Sequence, residues 1–293
     1  VGSEMCIRDS AMPSKTEEYL ALAQRTANGL TRYWESWTDY LTTASRLYKY
    51  SFPDQLMIYA QRPDATACAD YDIWNNRMNR YVRRGSKGIA LLDQSSSVPR
   101  LHYVFDVSDT GVRRNSRDPE VWQLNDDLFQ PVSEMLAQEY GIHHERLSQQ
   151  IADIAGKLAE SYWDNNSTDI LAIVDGSFLA EYDDYNIEVQ FKSAATVSIA
   201  YALMSRCGLD TEQYFQHEDF MPIFDFNTPA TVGALGAAVS QIAGRNGVPC
   251  VILRAMSDNA DESGYEVLVV KQFSITEYVK TATEIVANMI ESL

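Results

Sequence analysis

Arg80-Tyr81-Val82-Arg83-Arg84-Gly85-Ser86-Lys87-Gly88-Ile89-Ala90-Leu91-Leu92 is the stretch whose reading decides the class of fold. A short aromatic and β-branched run meets an apolar one, and Gly85 and Gly88 stand where a tight turn needs residues without a Cβ. The pattern predicts a hairpin. Residues 71–78 before it have helical spacing, residues 101–107 after it alternate as a further strand, and residues 108–118 read as a polar loop. Upstream, Leu20, Trp34, Trp37, Leu41, Ala44 and Leu47 recur at helical spacing within 14–50. They predict one or two amphipathic helices with both tryptophans in the core. Phe52-Pro53 opens a short buried helix over 55–61 that Pro63 stops. Helices segregated from a small sheet define an α+β class, with a mixed module of helices and a hairpin over residues 11–120.

Residues 121–235 read as a mainly helical region. Leu128, Val132 and Leu136, then Leu147, Ile151, Ile154 and Leu158, fall at spacings of three and four. The run 170–174 fits a short helix or a strand. Glu181, Asp183 and Asp184 read as a solvated acidic face, since nothing nearby adds ligands in a loop pattern. Gly233-Ala234-Leu235-Gly236 lacks the third glycine and the preceding strand of a dinucleotide loop. Residues 236–293 differ in character. An apolar strand over 247–256 ends at Ser257-Asp258-Asn259-Ala260-Asp261, and a helix over 275–293 closes the chain.

Composition bounds the function classes. With 293 residues, 45% of them hydrophobic and 22% charged, the chain can bury a core and does not have a disordered composition. No apolar run approaches the roughly 18 residues that a membrane span requires. The net charge of −17 repels phosphate backbones at long range, so nucleic-acid binding would need a local basic patch. Cys6, Cys68, Cys207 and Cys250 form no C-x-x-C pair and have no histidine at zinc-ligand spacing, so the sequence implies no metal and no cofactor, and it fits a reducing cytoplasm. Residues 1–10 carry neither helical period nor strand alternation, resemble translated adapter sequence, and are set aside from the fold.

The required patch exists. Arg77, Arg80, Arg83, Arg84 and Lys87 are concentrated within eleven residues, with Trp74 and Tyr81 beside them. Such a patch tracks a phosphate backbone while aromatic faces stack on unpaired bases. The alternative is a solvated face whose arginines pair with acidic neighbours. Here a resemblance enters. Gln55-Leu56-Met57-Ile58-Tyr59-Ala60-Gln61-Arg62-Pro63-Asp64-Ala65-Thr66, then Trp74, then Val82-Arg83-Arg84-Gly85-Ser86-Lys87-Gly88-Ile89, resembles the N-terminal domain of ArdC-type antirestriction proteins. The version it resembles stands at the front of large helicase and DNA-methylase proteins of conjugative elements. The resemblance covers about 31–109, with less distinctive continuation to about 231, and it implies single-stranded DNA as partner. The His-Glu-x-x-His helix of that family's metalloprotease domain is absent, as is a G-x-x-x-x-G-K-[ST] loop.

The tail carries a second resemblance, to 5'-methylthioadenosine/S-adenosylhomocysteine nucleosidases, from about Gly236-Ala237-Ala238 onward and resting on the strand with Ser257-Asp258. It implies that Asp258 is the general acid at the adenine ring and that Ser257 helps to place it, with an adenine nucleoside as ligand. Ala234-Leu235 stand where that family has its ribose-binding Met-Glu pair, and no counterpart of its water-activating glutamate is found. Two expectations from different classes follow. One is a non-enzymatic single-stranded-DNA-binding module of a mobile-element protein joined near 232–238 to a truncated nucleosidase tail. The other is a nucleosidase that hydrolyses an N-glycosidic bond. The enzyme needs a second carboxylate and a ribose clamp beside Asp258, whereas the binding module needs only a basic face.

Overall fold

The computed structural model describes residues 14–93, 100–119 and 124–242. Ser14 opens the first helix with a reciprocal cap, its Oγ accepting from the Glu17 N–H while the Glu17 carboxylate accepts from the Ser14 N–H. Helix α1 spans Lys15–Leu30 and α2 spans Trp34–Arg46, so the periodic stretch forms two helices. Thr31, buried between them, donates its hydroxyl to the Phe226 carbonyl at 2.8 Å. Helix α3, Phe52–Gln61, has Pro53 in its first turn, where the missing N–H costs no bond.

Among the described residues four further α-helices follow: α4 Asp126–Tyr140, α5 Leu147–Leu171, α6 Asp184–Arg206 and α7 Pro229–Gln241. Residues 170–171, which fitted helix or strand, are the end of α5. The long helices α5 and α6 pack on each other, with the small residues Ala155, Gly156 and Ala159 on α5, and a Cβ on Gly156 would lie 3.9 Å from Thr196 Cγ2 of α6. Trp37 of α2 is fully buried and donates its indole N–H to Ser198 Oγ of α6 at 2.9 Å. Tyr40 donates its hydroxyl to Gln55 Oε1 of α3 at 2.9 Å. These bonds satisfy polar groups that would otherwise be costly inside an apolar core.

That core corrects the expected division of the chain. Ala27, Leu30, Trp37, Tyr40, Leu41, Phe52 and Leu56 share one cluster with Val132, Ile151, Phe191, Phe226 and Val239. The boundary expected near residue 120 does not separate α1–α3 from the later helices. The boundary expected at 236 falls inside α7, whose Leu235, Ala238 and Val239 are buried in the same cluster. Gly236 has a packing role there. A Cβ on it would lie 2.0 Å from Phe52 Cδ2, so α7 can seat against α3 only because this side chain is absent. Residues 243–293, with Ser257 and Asp258, lie outside the described residues.

The strands are β1 Cys68–Asp70, β2 Arg80–Val82, β3 Ile89–Asp93, β4 Arg100–Asp106 and β5 Thr110–Val112. They form an antiparallel sheet of order β1-β4-β3 and a separate ribbon β2-β5. Together with the helices they make the α+β class that the sequence predicts. The expected hairpin between 80–82 and 89–92 is not formed. Val82 pairs with Thr110, Ile89 pairs with Val104, and the Gly85–Gly88 connection runs from one sheet to the other. The reason lies in burial. Ile89 and Leu91 join Met57 and Ile58 of α3, Leu47 and Val104 in a second apolar cluster, which holds β3 away from β2. Gln61, the last residue of α3, donates from Nε2 to the Ala90 carbonyl at 2.8 Å and accepts from the Ala90 N–H at 3.0 Å. Residues 71–77 are helical as predicted, with a π-helical turn over Ile73–Arg77.

The two glycines of α7 have opposite surroundings, since a Cβ on Gly233 meets nothing within 4 Å. Gly233→Ala is expected to raise the stability of the full chain by up to about 1 kcal/mol through helix propensity. Gly236→Ala is expected to lower it by about 1–3 kcal/mol despite the same gain in propensity, because the Phe52 ring has to move. Urea unfolding of both variants measures the difference.

Candidate nucleic-acid interface

The basic segment is anchored by a carboxylate that the sequence does not single out. Asp106 ends β4 with 1% of its surface exposed. Its Oδ1 accepts from the N–H groups of Thr66 and Ala67 at 2.8 and 3.0 Å, and its Oδ2 accepts from the N–H and hydroxyl of Ser108 at 2.9 and 2.6 Å. Burial alone would raise its pKa, but the bonds from Ser108, Thr66 and Ala67 bring it below the ordinary carboxylate value. The bonds to Ser108 form half of a reciprocal cap on the 3-10 turn Val107–Asp109, closed by the Asp106 N–H donating to Asp109. The turn delivers Thr110 into β5, where its hydroxyl donates to the Val107 carbonyl at 2.7 Å and receives Arg80 Nε at 2.8 Å. Arg62 adds an ion pair to Asp109 at 3.1 Å.

Two of the seven residues proposed from sequence to contact DNA are internal. Trp74 is 2% exposed and donates its indole N–H to the Phe105 carbonyl at 2.8 Å, so it is a core residue and not a stacking surface. Arg80 is 7% exposed, bonded to Thr110 and paired with Asp118, so its charge serves the ribbon and not a phosphate. Alternation explains it: Arg80 faces inward and its neighbour Tyr81 faces outward. Arg77, Tyr81, Arg83, Arg84 and Lys87 are exposed. Among the described residues no ion pair involves Arg77, Arg83, Arg84 or Lys87, so the alternative in which the patch is neutralised by acidic neighbours applies to Arg80 alone.

The register of the ribbon brings in residues that the sequence reading left in a loop. Tyr81 pairs with Gly111, and its ring lies across that glycine, where a Cβ would come within 2.4 Å of Tyr81 Cζ. Beyond Gly111, the Arg113 guanidinium sits 5.8 Å from the centre of the same ring. Arg113 is held there by bonds to the Arg80 carbonyl at 3.2 Å and Asn75 Oδ1 at 2.8 Å. Arg83 donates to the Ser108 carbonyl at 3.1 Å, while Arg84 and Arg114 stand exposed. Residues 71–118 carry nine Arg and Lys against five Asp in a chain of net charge −17, which makes this segment a local positive region. The signal available in sequence was Arg113-Arg114 following Thr-Gly-Val, a short strand pattern.

Elsewhere, Asp183 caps α6 by accepting from the Asn186 N–H at 2.8 Å. A cleft of about 900 Å³ opens between α1, the start of α3 and α7, lined in part by Leu20, Ala27, Tyr48, Phe52 and Ala237. Burial raises the Asp54 carboxyl on its wall, with a bond from Ser51 opposing. Among the described residues no group of His, Cys, Asp and Glu is arranged to hold a metal ion, and no helix is long and apolar enough to cross a membrane. The chain is thus an α+β protein with a basic, tyrosine-bearing ribbon mounted on a helical body. No family model, curated protein or solved structure matches it.

Asp106→Asn is expected to destabilise the full chain by about 1.5–3 kcal/mol at neutral pH, the range for bonds to a charged acceptor. A folded pKa lowered below the unfolded one contributes stability above about pH 4 that is lost as pH falls through the folded value. The gap between parent and variant should therefore be constant above about pH 5 and narrow as pH falls below about 4. A gap in the unfolding curves that stays constant down to about pH 3 would count against the bonded carboxylate.

Proposed function

We propose that residues 71–118 form a single-stranded-DNA-binding face, in a non-enzymatic front module of a mobile-element protein. The observation that carries this reading is the exposed Tyr81 ring, floored by Gly111 and flanked by Arg113, with Arg83, Arg84 and Arg114 exposed and in no ion pair among the described residues. A tyrosine face on a rigid ribbon offers stacking to an unpaired base, which a duplex keeps inside its own stack. The arginines supply the attraction to the backbone on either side of that base. The −17 net charge works against approach, but at physiological salt the Debye length is about 8 Å, so the local positive region dominates at contact. The nucleosidase reading rests on Ser257 and Asp258, outside the described residues, and nothing in the described structure favours it.

Fluorescence anisotropy with a labelled single-stranded oligonucleotide tests the proposal on the full chain. If about four phosphates are neutralised, the logarithmic salt slope is near −3, and affinity falls about fiftyfold between 50 and 200 mM salt. Arg83→Ala/Arg84→Ala/Arg114→Ala should flatten that slope by about 2. Tyr81→Ala should weaken binding by about 1–3 kcal/mol with the slope retained. Equal affinity of parent and triple variant at low salt would overturn the reading.

A further inference from the structure

A second exposed surface has the opposite chemistry. Residues 175–191 contain five Asp and Glu, of which Glu188 is paired with Lys192 at 2.6 Å, and no Lys or Arg, yet Phe178, Tyr182, Tyr185 and Val189 are exposed along the same stretch, Tyr185 at 71% and Phe178 at 57%. This surface is firmly held. Leu179 and Ile187 are buried in the helical core on either side of it, the Phe178 N–H donates to Asn227 Oδ1 at 3.0 Å, and Asp183 caps α6 beneath it. Large aromatic side chains presented on a fixed backbone lose little freedom when they are covered, and residues of this kind dominate binding energy at interfaces. Surrounded by carboxylates, they suit a partner rich in arginine that itself offers aromatic or apolar surface.

The described residues contain such a surface in the β2-β5 ribbon, which presents the Tyr81 ring beside Arg113, with Arg83, Arg84 and Arg114 exposed in the segments that follow its two strands. Within one molecule no hydrogen bond, ion pair or ring contact among the described residues joins the ribbon to residues 175–191. We propose that the acidic aromatic face at the start of α6 docks on the basic ribbon of a second copy of this chain. The contact is head to tail, so a pair of copies keeps one free face of each sign between them and assembly proceeds as an open chain unless the rotation closes a ring. It shares its basic half with the proposed DNA-binding face but needs no nucleic acid, and a single strand that occupies the ribbon releases the neighbouring copy.

Sedimentation velocity of the full chain at 0.1 M salt over a concentration series is the test. The expected result is a concentration-dependent rise in mass that falls back when a thymidine oligonucleotide is added. Glu181→Lys/Tyr185→Ser should weaken self-association about tenfold or more, while its affinity for the oligonucleotide is retained. Arg83→Glu/Arg84→Glu should also abolish self-association, and mixing it with Glu181→Lys/Asp184→Lys should restore a mixed complex, since each variant keeps one native face that fits the other's and the two altered faces are again of opposite sign. Sedimentation as a monomer up to about 1 mM, or association indifferent to either pair of substitutions, overturns the proposal. Association that responds to both pairs but not to the oligonucleotide refutes only the DNA-binding reading, so the two failures are distinguishable.

Discussion

A carboxylate taken out of water has to be given hydrogen-bond donors, and Asp106 obtains four by folding two distant pieces of chain around itself. The backbone of Thr66 and Ala67 sets where β1 begins to pair with β4. Ser108 sets the turn that follows β4, and that turn determines where β5 lies. Only with β5 in place does Tyr81 have Gly111 beneath it and Arg113 beside it. The basic face is therefore an outcome of one buried charge about twenty-five residues further along the chain than Tyr81. Each link is a bond between named atoms, so disturbance at Asp106 reaches the ribbon without touching an arginine.

Helix α3 performs the corresponding task between the two cores. Phe52 and Leu56 belong to the helical cluster, Met57 and Ile58 belong to the cluster under the sheet, and Gln61 bonds to β3. A ten-residue helix buried on both sides allows the sheet little independent motion. For this reason the sequence divides at neither 120 nor 236: α1, α2 and α7 all pack on α3, and the sheet is mounted on what they enclose.

The helices were legible because their information is local. Trp37, Leu41 and Ala44, or Leu147, Ile151 and Ile154, state a buried face by spacing alone, and Pro53 and Pro63 mark where α3 starts and stops. Strand pairing was not legible, because Arg80–Val82 satisfies the same alternation opposite Ile89 as opposite Thr110, and burial of Ile89 and Leu91 against α3 decides between them. The site was half legible for a related reason. A tryptophan among arginines fits a stacking surface or a core residue, and what separates them for Trp74 is a carbonyl 31 residues away. Arg80 is likewise assigned by Asp118, 38 residues on. Arg113 and Arg114 were missed because residues 108–118 are polar enough to pass for a loop, and Asp106 because nothing local distinguishes a buried aspartate from a solvated one.

The bond between Gln61 and Ala90 bears on how the protein behaves when crowded. In the order β1-β4-β3 the strand β3 is an edge, and the outward N–H and C=O of such a strand are a template on which another chain can lay a strand of its own. At Ala90 both groups are already occupied by one amide side chain from α3, with one bond donated and one accepted. The amide does at the rim what a further strand would do, and it has no second side to pass the pairing on. Sheet growth is thus capped at that residue by a helix, which protects the apolar run Ile89-Ala90-Leu91-Leu92, ahead of the one charge of β3 at Asp93, against edge-to-edge aggregation.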